Sequence, residues 1–222
     1  MLVLVDVCKA YWTPGSPLDL TAHQPSAASP EVMKRLVAAA RGAAVPVVWT
    51  TVEYTDGGMR DAGLFWLKSK NLSVWQVGDD RGLGDFLDGL TPEDGDMVIK
   101  KKYPSAFFGT TLATDLKVLG ADTLVICGVS TSGCVRATAL DSMCNGYRPM
   151  VSGSSSAAAR LERARVHASG LTDRLCQVVG SACGDRSEEI QSSNLFDLNA
   201  KYADVVTEEE AIEQMSKGWQ SS

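Results

Sequence analysis

The sequence predicts a three-layer α/β/α fold: a doubly wound, mostly parallel, Rossmann-like sheet with helices on both faces. Three observations carry this prediction. Short apolar runs of strand length recur along the chain, helical patterns with recognisable caps fall between them, and 222 residues at 45% hydrophobic content suffice for one core. Strands covered on both faces read as continuous apolar runs, and their alternation with helices makes βαβ units. The whole chain, 1–222, is therefore read as a single domain.

In order, the predicted strands are Leu2–Val7, Val45–Val52, Met97–Lys100, Thr123–Val129 and Ala203–Val206. A first helix is predicted from Pro30 to Arg41, with Ser29 as N-cap and proline at the first helical position. A second runs from Thr110 to Leu119 and stops at Gly120, and a third from Gly133 to Asn145 stops at Gly146. Thr207 caps the last, Glu208 to Lys217, whose three leading glutamates suit the positive end of the helix dipole.

One stretch breaks the alternation. Residues 151–177 are rich in Ser, Ala and Arg and fall where a strand should follow Arg148-Pro149-Met150. Joining Met150 to Val178 gives PMVVGSACGDR, a plausible strand and loop. Codon degeneracy allows a splice donor in Val151-Ser152-Gly153, a branch point in Leu171-Thr172 and an acceptor in Gln177. The segment is read as an atypical insertion, either a retained intron or a genuine surface insertion, which chain thermodynamics tolerates. Sequencing the mature transcript separates the two.

The formal charge of −6 argues against a nucleic-acid partner, which would want a clustered basic face. No apolar run reaches the roughly 18 residues of a membrane span, and no basic n-region with a cleavage site opens the chain. The cytosol is the expected compartment. Six cysteines form no CxxC pair and have no histidine at metal spacing, so most are expected to be reduced core fillers.

Cys134 differs from the rest. It follows an apolar strand and a turn of small residues, in GVSTSGCVR, at the predicted start of a helix. Unpaired N–H groups and the helix dipole there are expected to lower its thiol pKa and to hold an oxyanion. By position alone it reads first as a small buried helix residue. Asp6 ends the first strand, as a base facing the crevice or as a turn cap. Lys101 lies in KKKYPSAFFGT, as an active cation or as part of a solvated strand end. Ligands of open parallel sheets bind beyond the carboxyl ends of the strands, where these three supply a base, a cation and a nucleophile.

The chain resembles the isochorismatase-like cysteine hydrolases, and within them is most similar to the N-carbamoylsarcosine amidases. The resemblance rests on LVLVDVCKAYWTPGSPL, KKYPSAFFGTTL, VICGVSTSGCVRATALD, ACGDR and NLFDLNAKYADVV. It covers nearly all of the chain outside 151–177. It implies the hydrolase fold of that family and a triad of Asp6, Lys101 and Cys134, Lys101 being the lysine four residues before Ser105. It implies a cis peptide between Val129 and Ser130, with the Ser130 and Cys134 amides aimed at the oxyanion. It implies that Arg186 grips a substrate carboxylate, a task suited to a planar guanidinium.

The implied activity is cysteine-dependent cleavage of a small carbamoyl or amide substrate with release of ammonia. Alternatives are a maleamate, ureidoacrylate or biuret type of hydrolase, or a catalytically impaired member serving as a binding or oligomerisation module. A homo-oligomer, dimer or tetramer, is also implied. Neither cofactor nor metal is expected, because zinc-binding members carry an Asp-x-His motif and a further histidine that His23 and His167 do not match. No GxGxxG follows the first strand, which disfavours a dinucleotide enzyme. Some positions depart from the pattern. Gln191-Ser192-Ser193-Asn194-Leu195 stands for a frequent His-Glu-Ala-Asn-Leu, and Cys8 stands where glutamine is common. Met1 lacks the usual leader segment, so a start further upstream is expected.

Overall fold

The structure, a computed structural model, describes residues 1–151 and 177–218. Its centre is a seven-stranded sheet in the order β3-β2-β1-β4-β5-β6-β7. The strands are β1 Leu2–Val5, β2 Val47–Val52, β3 Met97–Lys101, β4 Thr123–Val129, β5 Arg148–Val151, β6 Gln177–Gly184 and β7 Asp204–Val206. Pairing is parallel except for one antiparallel bridge, Val151 to Val178. All four residues of β1 are buried, as expected for a strand covered on both faces.

The chain winds from β1 to β2 and β3 in one direction and from β4 outward in the other. The order therefore reverses between β1 and β4, and the crevice beyond their carboxyl ends is where such sheets bind ligands. β1 stops at Val5, short of the predicted Val7, because Asp6 turns the backbone to φ 53°. Gly128 fits the close approach of β4 to β1. It sits at φ +116°, and a Cβ there would lie 2.2 Å from the Val5 carbonyl oxygen.

The register past β4 is unusual. Thr123 and Leu124 pair with Arg148 and Pro149 of β5, whereas Val125 and Ile126 pair with Gln177 and Val178 of β6. Met150 and Gln177 both face Asp204 of β7. The predicted insertion, 151–177, lies between these partners, and 152–176 falls outside the described residues.

The helices are α1 Gln24–Gly42, α2 Gly63–Lys68, α3 Leu112–Val118, α4 Arg136–Cys144, α5 Glu188–Lys201 and α6 Glu208–Ser216. α1 and α6 pack together on one side, and α4 packs with α5 on the other, as right-handed crossovers in opposite directions require. The prediction for α1 needs correction. The helix begins at Gln24, with Pro25 in its first turn, and Pro30 lies inside it. Pro30 has no N–H for the Ser26 carbonyl, but that oxygen accepts from the Trp12 indole at 2.9 Å and the Ser29 hydroxyl at 2.8 Å. The interior proline is thus tolerated. Thr207 caps α6 as predicted, in a reciprocal capping box with Glu210.

The main core joins β1, β2 and β4 to the inner faces of α1 and α3. A second apolar cluster includes Tyr11, Val52, Tyr54, Trp75 and Val129, and so lies against the carboxyl ends of β1, β2 and β4. Among the described residues, no helix is long and apolar enough to cross a membrane.

Candidate active site

Three strand ends deliver side chains into the crevice. The turn after β1 carries Asp6, which is 1% exposed. Its left-handed φ of 53° is one that aspartate adopts more readily than most residues. Thr50 of β2 holds this turn on both sides. Its hydroxyl accepts from the Asp6 N–H at 3.0 Å and donates to Asp6 Oδ1 at 2.7 Å.

Lys101 is the last residue of β3, and strand alternation sorts the three neighbouring lysines. Lys100 reaches out to Glu53, and Lys102 pairs with Asp61 at the surface. Lys101 turns inward, with no exposed side-chain surface, and donates to Asp6 Oδ2 at 2.8 Å and to the Tyr103 carbonyl at 3.1 Å. Burial pulls its ammonium toward the neutral form, but Asp6 and Cys134 outweigh that pull and raise its pKa, so it stays charged.

Cys134 comes off the end of β4. The predicted helix start at Gly133 is corrected here. Thr131–Val135 form a wide turn in which Gly133 is non-helical (φ −115°, ψ −106°), and α4 begins only at Arg136. The peptide bond between Val129 and Ser130 is cis. The Ser130 carbonyl accepts from Gly133 and Val135, which closes the turn. The Cys134 thiol faces the ion pair and interacts with both Asp6 and Lys101. Asp6, Lys101 and Cys134, from the ends of three different strands, thus meet in one place.

The expected direction of the thiol pKa is overturned. Burial is the largest influence and pushes Cys134 up to about 12; Lys101 pulls it down and the Asp6 charge pushes it up. The resting site therefore holds a charged ammonium and a neutral thiol beside Asp6. Nearby Tyr11 and Tyr54 are also raised, chiefly by burial, and stay phenols. Alkylation of Cys134 by iodoacetamide is expected to quicken about tenfold per pH unit from pH 7 to 9, following the thiolate fraction. A plateau below pH 8 would contradict a raised thiol.

Arg186 follows β6, one residue past Asp185. Its side chain is 68% exposed, with Nε 3.6 Å from Asp185 Oδ1. It is exposed and is not part of the buried trio. Two partners went unnoticed in the sequence. Thr50 lies within a mostly apolar strand, VVWTTV, where a threonine reads as a β-former. Asp185 stood beside the singled-out arginine in GDR and is fully buried. Its Oδ2 accepts from the Ser132 N–H at 2.6 Å, and its Oδ1 from the Arg186 N–H at 2.8 Å. His167 and Cys176 lie outside the described residues. The ring nitrogens of His23 meet Ser26, the Asp185 carbonyl and Glu188.

Comparison with known proteins agrees with this architecture. The sequence profile of the isochorismatase domain matches residues 1–210. Maleamate amidohydrolase of Pseudomonas putida is 34% identical over 215 residues, covering 96% of this chain and 85% of that protein. N-carbamoylsarcosine amidase of Arthrobacter is 28% identical over 223 residues, covering 96% of this chain and 70% of that protein. Among solved structures, a cysteine hydrolase from Pseudomonas syringae superposes with a TM-score of 0.76 at 20% identity, over 98% of this chain and 92% of that one. N-carbamoylsarcosine amidase from Thermoplasma acidophilum gives 0.56 at 23% identity, over 80% and 95%. At such identities the structural likeness speaks for the fold.

Proposed function

The chain belongs to the isochorismatase-domain family, whose relatives here are amidohydrolases of non-peptide carbon–nitrogen bonds, and from that premise we propose that it hydrolyses a small carboxylate-bearing amide or carbamoyl compound through Cys134. The observation that carries the proposal is the fully buried Lys101–Asp6 pair facing the Cys134 thiol. A buried ion pair is a poor source of stability, because desolvation offsets its attraction. Beside a thiol in a ligand crevice it suits proton transfer.

Asp6 takes the thiol proton as sulfur attacks the carbonyl carbon. Lys101 offsets the negative charge that passes from Asp6 to sulfur. The amides of Ser130 and Cys134 hold the oxyanion. The carbon–nitrogen bond then breaks, Asp6 returns the proton to the leaving ammonia, and a thioester remains on Cys134. Water, deprotonated by Asp6, attacks the thioester, and the proton passes back to sulfur. From a carbamoyl substrate the released carbamate falls apart to amine and CO2.

Arg186, exposed one residue past Asp185, grips the substrate carboxylate. N-carbamoylsarcosine is the first substrate to try, on the TPGSPL and GDR motifs. A second reading, maleamate, is favoured by the higher identity to the P. putida enzyme. Ammonia release is to be measured with N-carbamoylsarcosine, maleamate, ureidoacrylate and biuret. Turnover of one of the three carboxylates, at a rate well above biuret, is expected. Release of ammonia from none of the four would reject the proposal. We place the enzyme in the reducing cytosol, where its free thiols Cys8, Cys127, Cys134, Cys144 and Cys183 persist, as a homo-oligomer that sedimentation would detect.

A further inference from the structure

We propose that Asp185 is a positioning residue for the nucleophile, joining α1 to the turn that presents Cys134. The inference rests on Cys134 being the nucleophile. Asp185 is 0% exposed, and its carboxylate Oδ2 takes the Ser132 N–H at 2.6 Å, two residues before Cys134. Its backbone is fixed as well. Its N–H donates to Ser26 Oγ at 2.8 Å, and its carbonyl accepts from the Ser26 hydroxyl at 2.7 Å. One residue back, the Gly184 carbonyl accepts from the Thr131 hydroxyl at 3.2 Å. The turn is non-helical at Gly133, so helical hydrogen bonding does not by itself fix its shape. A charged acceptor on a buried backbone N–H is the stronger kind of hydrogen bond, and it supplies that constraint. Removing it lets the sulfur drift from the Asp6–Lys101 pair, and a displacement of about 1 Å costs on the order of 100-fold in rate.

Asp185→Asn keeps one acceptor oxygen and Asp185→Ala keeps none. Activity is to be expressed per folded chain, together with KM, melting temperature and the pH dependence of Cys134 alkylation. A graded loss in kcat is expected, about 10-fold for Asn and about 100-fold for Ala, with KM moved less than about 3-fold and the alkylation profile shifted. Unchanged kcat in both variants overturns the proposal. So does a rise in KM alone, which would assign Asp185 to Arg186, and so does loss of folding in both. Cys134→Ala, run beside them, keeps the two readings apart. Retained activity there sinks the nucleophile, whereas a dead Cys134→Ala with fully active Asp185 variants sinks only the positioning role.

The sheet register carries a second inference independently: β5 and β6 are two parts of one strand, parted by 151–177. Positions 123, 124 and 126 of β4 face 148, 149 and 178, while Met150 and Gln177 compete for one place opposite Asp204. Joining Met150 to Val178 sets Met150 opposite Val125 without shifting any other pair. The sheet then has six strands in the order 3-2-1-4-5-6, the doubly wound arrangement. The full chain and one lacking 151–177 are to be compared by circular dichroism and thermal melting. The shorter chain is expected to keep its sheet and to melt no lower than the full chain. Insolubility or a lower melting temperature overturns the inference, whatever either chain does to substrate.

Discussion

Cys134→Ala is expected to lower kcat by at least about 10⁴-fold while the protein melts within a few degrees of the parent. Loss of a nucleophile removes the covalent route altogether, and knockouts of that kind cost on the order of 10⁴- to 10⁶-fold. The fold should survive because alanine fits wherever the partly buried cysteine does, and the thiol leaves no charge behind. The other two members of the trio are poorer probes. Asp6→Ala strands the Lys101 ammonium, whose side chain has no exposed surface, and an unpaired buried charge costs about 3–5 kcal/mol. Lost activity there would confound chemistry with folding. Ammonia release and differential scanning calorimetry on Cys134→Ala check the prediction; residual activity above one tenth of the parent's would remove Cys134 from the mechanism.

Gly128→Ala is expected to have the largest effect on stability. The added Cβ would sit 2.2 Å from the Val5 oxygen and 2.7 Å from the Val5 nitrogen, both backbone atoms that cannot swing aside. The φ of +116° is closed to alanine as well. Overpacking in cores costs about 1–3 kcal/mol when side chains can give way, and here the obstacle is the adjoining strand. Against a total stability of about 5–15 kcal/mol, the expected result is mostly insoluble protein, or a melting temperature lowered by more than about 10 °C. A soluble variant melting like the parent would mean that β1 and β4 do not approach so closely. Since Asp6 and Cys134 hang from these two strands, any folded remnant should also be inactive.

Much of the fold is legible in the sequence because β1, β2 and β4 are buried on both faces and so read as mostly apolar runs, broken only by threonines in β2 and at the start of β4. Lys101 can be singled out from its neighbours only by the resemblance. The physical reason that it is the inward one, strand alternation, is visible once the register Val52 to Lys101 is known. The start of α1 is misread because Pro30 looks like a helix opening. The two donors that satisfy the Ser26 carbonyl, Trp12 and Ser29, include one from outside the helix, and no local pattern reveals that. The thiol of Cys134 is misjudged for a similar reason. A helix terminus lowers a thiol pKa when water can reach it, and burial, which reverses the sign, is a property of the assembled crevice. Thr50 and Asp185 act through hydrogen bonds across 44 and 53 residues of chain, so sequence proximity gives no hint of them.

The most direct test follows inactivation and labelling together. The protein is treated with iodoacetamide for increasing times, activity is read as ammonia release, and each cysteine peptide is quantified by mass spectrometry. Cys144 is exposed at the end of α4 and serves as the internal control. Activity is predicted to fall in step with label on Cys134, to be spared by excess substrate, and to be indifferent to label on Cys144. Full activity in chains carrying label on Cys134 would contradict the account.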